Sequence, residues 1–163
     1  MNKYLIPDIT VASIDDLSGE FFKERGIKAV FLDIDNTLVT PKTAVPDERA
    51  SRFLKSLEDV GITTCLVSNN KRERVETFSG GKYMTIHRAG KPFTLSYRRF
   101  LRKLSLKKSE VAAVGDQFYS DVYAAKKLGI LMVYVKPIEI GNEGPFVHFK
   151  RQLERKIIAK LGI

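Results

Sequence analysis

Lys28-Ala29-Val30-Phe31-Leu32-Asp33-Ile34-Asp35-Asn36-Thr37 is the stretch from which the fold is read. Its apolar, partly β-branched first half reads as a central strand of a parallel sheet, and in such sheets pockets form beyond the carboxyl ends of the strands. Asp33 and Asp35 leave that strand two residues apart, so both face the position of a site. The geometry suits phosphoryl transfer. Two acidic residues after a strand also cap turns and helices, so the pair taken alone leaves both readings open.

Three further elements follow in chain order. Ser68-Asn69-Asn70 comes after the apolar run 62–67, Lys91-Pro92 precedes an amphipathic stretch, and Gly115-Asp116, with Asp121 beyond it, comes after the run 111–114. Apolar runs at 29–32, 62–67, 83–86, 111–114 and 131–135 alternate with segments of helical spacing. Phe53, Leu54, Leu57 and Val60 share a face, with Pro46 at the expected first helical position and Gly61 at the stop. Phe93, Tyr97, Phe100, Leu101 and Leu104 form a second stripe, and a third helix is expected from about residue 120 to 128, closed by Gly129. The alternation predicts a single-domain, Rossmann-like three-layer α/β/α fold around a parallel five-stranded sheet. Ser79-Gly80-Gly81 reads as a turn inside that domain.

With its motifs in this order the chain resembles the haloacid dehalogenase superfamily of aspartate-nucleophile phosphatases over about residues 28–136. Asp33-Ile34-Asp35-Asn36-Thr37-Leu38-Val39, Val67-Ser68-Asn69-Asn70, His87-Arg88-Ala89-Gly90-Lys91-Pro92 and Gly115-Asp116-Gln117-Phe118-Tyr119-Ser120-Asp121 look like the YqeG-type branch of subfamily IIIA, which is related to phosphatidylglycerophosphate phosphatases. Tyr4-Leu5-Ile6-Pro7 and Leu153-Glu154-Arg155-Lys156-Ile157 add to the likeness. The chain departs from the family at Ser120, where threonine is usual, and at Ala124-Ala125-Lys126-Lys127, where a glycine-rich run is usual. Ser120 keeps the hydroxyl.

The resemblance implies one hydrolase domain over residues 1–163, with a catalytic core at about 28–136 and a basic helix at about 146–161. It implies a Mg²⁺-dependent phosphomonoesterase with Asp33 as nucleophile and Asp35 as acid and base. Ser68, Asn69 and Lys91 would hold the phosphoryl group. Asp33, Asp116 and the Asp35 carbonyl would hold the metal, with Thr37 and Asp121 in support. The spacing between motifs leaves no room for a large cap domain, so the site is expected to be open. Phosphatidylglycerophosphate is the substrate the family implies; a soluble sugar phosphate, a nucleotide or a nucleic-acid end fits the same chemistry.

The chain has 163 residues, with Lys and Arg totalling 28 against 19 Asp and Glu, a formal charge of +9. An anionic partner is therefore expected, either a phospholipid surface or a nucleic acid. The second of these would make the protein a nucleic-acid or ribosome-associated binding module with secondary catalysis, although the aromatic RNA-reading motifs are absent. Arg98, Arg99, Arg102 and Lys103 lie off the stripe of their helix. In the last segment Phe149, Leu153, Ile157 and Leu161 form a stripe, with Lys150, Arg151, Arg155, Lys156 and Lys160 elsewhere. That helix either packs on the sheet or lies on an anionic membrane. Cys65 alone offers no disulfide, and no segment has the length of a membrane span or signal peptide. A cytoplasmic protein is expected, in contact at most with the inner face of the membrane. His87 and His148 receive no role, and the oligomeric state is open.

Overall fold

The computed structural model describes residues 2–139 and 145–162. In chain order its main elements are β1 (Ile9–Val11), α1 (Gly19–Lys23), β2 (Ala29–Leu32), α2 (Glu48–Asp59), β3 (Thr63–Val67), α3 (Arg72–Ser79), β4 (Met84–Ile86), α4 (Leu95–Leu104), β5 (Val111–Gly115), α5 (Tyr123–Leu128), β6 (Leu131–Val135) and α6 (Pro145–Leu161). The strands form one parallel sheet in the order β1-β6-β5-β2-β3-β4. It is flanked by helices, as the alternation of runs predicts, and is a single α/β domain.

Side chains point alternately to the two faces of a strand. Val30 and Leu32 of β2 join Leu66, Val114 and Val133 in a core covered by Phe22 of α1, Phe53, Leu54 and Leu57 of α2, and Val75 and Phe78 of α3. Ala29 and Phe31 point the other way, with Cys65, Val67, Ala113 and Tyr134, under Tyr97, Phe100 and Leu101 of α4 and Leu128 of α5. All four residues of β2 are buried. With both faces covered, the central strands need continuous apolar runs, and this is why they are plain in the sequence.

The sheet has six strands, one more than expected. Residues Ile9-Thr10-Val11 add an edge strand beside β6, with the flanking Asp8 N–H donating to the Met132 carbonyl at 3.0 Å. The Asp8 carboxylate accepts from the Met132 N–H at 2.8 Å and pairs with Lys126. A three-residue edge strand with threonine at its centre buries too little to leave an apolar signature, so the amino-terminal stretch packs beside the sheet unannounced.

Local departures have local causes. α2 begins after Asp47, whose carboxylate accepts from the Ala50 N–H at 2.8 Å, so Pro46 precedes the cap and is not the first helical residue. α3 ends on Gly80, whose φ of 56° suits a residue without Cβ. The helix expected from residue 120 starts earlier, as a π-helical turn over Phe118–Val122 that runs on into α5. Phe93 precedes α4 and is 76% exposed, so it is no part of that helix's buried stripe. In α6 Ile157 is buried, while Phe149 and Leu153 face outward. The inward positions nearer its start are Arg151 and Glu154.

The end of β5 is unusually tight. A Cβ placed on Gly115 would stand 2.5 Å from the Cβ and Cγ of Asp121, so glycine there lets the next turn fold back over the strand. Gly115→Ala should lower stability by about 2 kcal/mol through overpacking. Urea unfolding of the variant beside the wild type measures this.

Candidate active site

The carboxyl ends of β2, β3 and β5 bring three of the motifs together. The Asp33 N–H continues the ladder to the Val114 carbonyl at 3.0 Å, which places the Asp33 side chain beside the β5 terminus. Lys91 arrives from the loop after β4. Its ammonium lies 2.6 Å from Asp33 Oδ1, 2.6 Å from Asp121 Oδ1 and 3.2 Å from the Val67 carbonyl. The side chain is 3% exposed. Burial pushes an ammonium pKa down, but Asp121 and Asp33 outweigh it and hold Lys91 well above the usual lysine range.

The Asp116 side chain is fully buried. The Thr37 hydroxyl lies 2.9 Å from Asp116 Oδ1 and 3.1 Å from Asp33 Oδ2, and its single proton serves one of them at a time. Asp121 Oδ2 accepts from the Gln117 N–H at 3.2 Å. Asp33, Asp116 and Asp121 each offer an oxygen within 4.8 Å of the others. Burial raises the Asp33 pKa well above the ordinary value; Lys91 opposes this and the two neighbouring aspartates add to it. Burial likewise raises Asp116, against the pull of Arg151. Among the described residues, the three carboxylates pair with two cations, Lys91 and Arg151. A buried set of carboxylate oxygens in that condition suits a hard divalent cation.

Asp35 lies at the mouth. Its Oδ1 accepts from Arg74 Nη2 at 2.9 Å and its Oδ2 from Asn70 Nδ2 at 2.9 Å. Ser68 is buried with its hydroxyl accepting from the Asn70 N–H at 3.0 Å. Asn69 grips the backbone of Lys91 from both sides, accepting from its N–H at 2.8 Å and donating to its carbonyl at 3.0 Å. In this structure, then, Asn69 fixes the loop that delivers Lys91. Asp33, Asp35, Ser68, Asn69 and Lys91 line one cavity of about 310 Å³, closed on its far side by Gln117, Ser120 and Lys150. A roomier groove of about 690 Å³ along α4 has no carboxylate in its lining and is separate from the aspartate cluster.

Several residues at the site had no sequence signal that assigned them. Arg74 of α3 holds Asp35 but sits in an ordinary charged helix. Lys150 donates to the Ser120 hydroxyl at 3.3 Å, and burial lowers its pKa. Arg151 donates to the Asp116 carbonyl at 2.7 Å and pairs with its Oδ2. Glu154, fully buried, lies 3.2 Å from Arg151 and accepts from the Tyr119 N–H at 3.2 Å. Burial pushes its carboxyl pKa up to about 7 even though Arg151 pulls it down. The available signal was spacing, since Arg151, Glu154 and Ile158 recur at helical intervals of three and four.

A sequence-family model described as mitochondrial PGP phosphatase matches residues 1–139. The chain belongs to that family. The "Probable phosphatase YqeG" of Bacillus subtilis is 32% identical over 162 residues, covering 99% of this chain and 94% of the relative. The "Phosphatidylglycerophosphate phosphatase 1, chloroplastic/mitochondrial" of Arabidopsis thaliana is 24% identical over 170 residues, covering 97% of this chain but 48% of the longer relative. Among solved structures, an uncharacterized protein from Listeria monocytogenes serotype 4b superposes with a TM-score of 0.58 at 15% identity, covering 84% of this chain and all of that one. The cobalt-bound deoxy-D-mannose-octulosonate 8-phosphate phosphatase of Haemophilus influenzae gives 0.53 at 14% identity, over 82% of this chain and 90% of that one. At those identities the structural likeness shows the fold alone. Membership of the PGP phosphatase family agrees with the motif resemblance read from the sequence.

Removing Lys91 would leave Asp33 and Asp121 buried without their shared cation. Lys91→Met should cost about 3 kcal/mol or more in metal-free protein. Chemical unfolding in the presence of a chelator tests this, and a loss below about 1 kcal/mol would contradict the pairing.

Proposed function

We propose that the protein is a Mg²⁺-dependent phosphomonoester phosphatase that works through an aspartyl-phosphate on Asp33. The observation that carries the reading is the meeting of Asp33 with Lys91, Asp116 and Asp121 at one end of the sheet. The named activities of the relatives agree with it.

A phosphomonoester resists attack because its oxygens repel a nucleophile and its alkoxide leaves poorly. In the proposed reaction an Asp33 carboxylate oxygen forms a bond to phosphorus as the bond to the leaving oxygen breaks. Lys91 and the Ser68 hydroxyl bind the phosphoryl oxygens, and Lys91 offsets the charge of the nucleophile. Asp35, steadied by Arg74 and Asn70 at the cavity mouth, gives a proton to the leaving oxygen and then takes one from the water that cleaves the aspartyl-phosphate. Asp33 and Asp116 would hold Mg²⁺, together with the Asp35 carbonyl and with Asp121 in reach. Bound there, the ion supplies neutralisation of the phosphoryl charge. Thr37 keeps Asp33 and Asp116 in register. Phosphate release should therefore stop on chelation, vanish in Asp33→Asn, and fall by about 10²–10⁴-fold in Asp35→Asn. Release undiminished in Asp33→Asn would refute the nucleophile.

Phosphatidylglycerophosphate is the proposed substrate. No described helix is long and apolar enough to cross a membrane. Exposed Phe93 follows the site residue Lys91 by two positions, and exposed Phe149 precedes Lys150 of the cavity wall. Exposed apolar side chains next to site residues in the chain, with exposed Arg98 and Arg102 on the helix that follows Phe93, suit a protein that rests on the anionic inner face of a membrane and reaches a head group there. The protein should co-sediment with phosphatidylglycerol vesicles at low salt and lose that binding in Phe93→Ser/Phe149→Ser. Phosphatidylglycerophosphate in mixed micelles should outcompete soluble phosphomonoesters and 5′-phosphorylated oligonucleotides. Preference for either of the others would overturn the lipid assignment and leave the chemistry standing.

A further inference from the structure

α6 carries an oppositely charged pair to which the proposed reaction gives no task. Arg151 is 6% exposed and Glu154 0%, burial that charged side chains on a helix seldom have unless they are paired. Arg151 holds Asp116 twice, through Nη1 to the backbone carbonyl at 2.7 Å and through Nη2 to carboxylate Oδ2. Glu154 Oε2 lies 3.2 Å from Arg151 Nη1, and Glu154 Oε1 accepts from the Tyr119 N–H at 3.2 Å. One turn of α6 thus grips the loop after β5 at Asp116 and again at Tyr119. Both residues lie beyond the stretch that the family model matches.

Two physical effects separate the roles of the pair. A guanidinium fork that spans a carbonyl and a carboxylate fixes the rotamer of Asp116, which a point-charge ammonium does less well. A lone arginine at that position would also repel a cation bound to Asp116. Glu154 cancels that repulsion.

We infer that Arg151 and Glu154 are positioning residues of the cation site, with Arg151 setting the Asp116 carboxylate and Glu154 cancelling the charge of Arg151 so that a divalent cation still binds. The inference rests on the reading of Asp33 and Asp116 as cation ligands. Neither Arg151 nor Glu154 lines the cavity; Arg151 acts through Asp116, and Glu154 acts through Arg151.

The test is direct metal binding to the full chain, with Mn²⁺ followed by electron paramagnetic resonance and Mg²⁺ by calorimetry, for wild type, Asp116→Asn, Glu154→Gln and Arg151→Lys. Glu154→Gln keeps the shape and removes the charge; Arg151→Lys keeps the charge and removes the fork. Each should weaken metal binding by about 10–100-fold, the usual effect of disturbing groups that orient metal ligands. Circular dichroism reports which variants fold, and Arg151→Lys decides the matter if Glu154→Gln does not. A folded variant that binds metal as tightly as wild type, or more tightly, overturns the inference; tighter binding would make Arg151 a competitor for the site. Wild type that binds no ion, or Asp116→Asn that binds as well as wild type, overturns the cation-site reading and the inference with it.

Discussion

The ammonium of Lys91, shared between Asp33 and Asp121 in the interior, is the contact around which the site is arranged. Taking three charges out of water costs several kcal/mol for each, and the attraction repays that cost only where geometry is close and the remaining oxygens have donors. Those donors are present. The Thr37 hydroxyl serves Asp33 or Asp116 and the Gln117 N–H reaches Asp121, while Lys91 itself donates a further hydrogen bond to the Val67 carbonyl. The position of Lys91 depends in turn on Asn69, whose amide binds the Lys91 backbone at both its N–H and its carbonyl. Without Lys91, Asp33 and Asp121 would face each other in a buried space with their mutual repulsion uncompensated.

The scaffold explains how residues so distant in sequence meet. β2 lies between β3 and β5, so the chain leaves it toward one edge and later returns on its other side. The loops after these strands diverge at that reversal, and the crevice between them is where ligands bind in open α/β sheets. Asp33, Ser68 and Asp116 each stand one residue past the end of a strand, so the position of each is set by sheet register and not by a flexible loop. Asp35 is held by side chains from two elements, Arg74 from α3 and Asn70 from the loop before it, which gives it a firm but less enclosed seat than Asp33.

How much of this could be read beforehand follows from what each part buries. β2, β3, β5 and β6 are apolar on both faces, and such runs stand out in any sequence. β1 has three residues at a sheet edge, where a single ladder of hydrogen bonds sustains it and no apolar run is required. Asp33, Lys91 and Asp116 were legible from their order along the chain, because each follows a strand or precedes a helix. Arg74 was not, since one arginine among several on a charged helix has no pattern of its own. The expected apolar stripe of α6 faces inward only in its second half, where Ile157 is buried and Leu161 packs against the core, while Phe149 and Leu153 face outward. The rule that apolar side chains seek the interior favoured Phe149 and Leu153. The buried carbonyl and carboxylate of Asp116 make the interior polar at that place, and there the pairing of Arg151 outweighs the transfer of an apolar ring.

The seat of Arg151 on α6 also bears on how the molecule comes apart. A domain of this size folds as a unit, and α6 is tied to the segment after β5 at both Asp116 and Tyr119. Were α6 to peel away from the body, the buried Asp116 would lose its guanidinium and the Tyr119 N–H its acceptor in the same event. Detachment of one helix would therefore loosen the carboxylate cluster and the turn beside it together, so the integrity of the centre is hostage to the docking of α6.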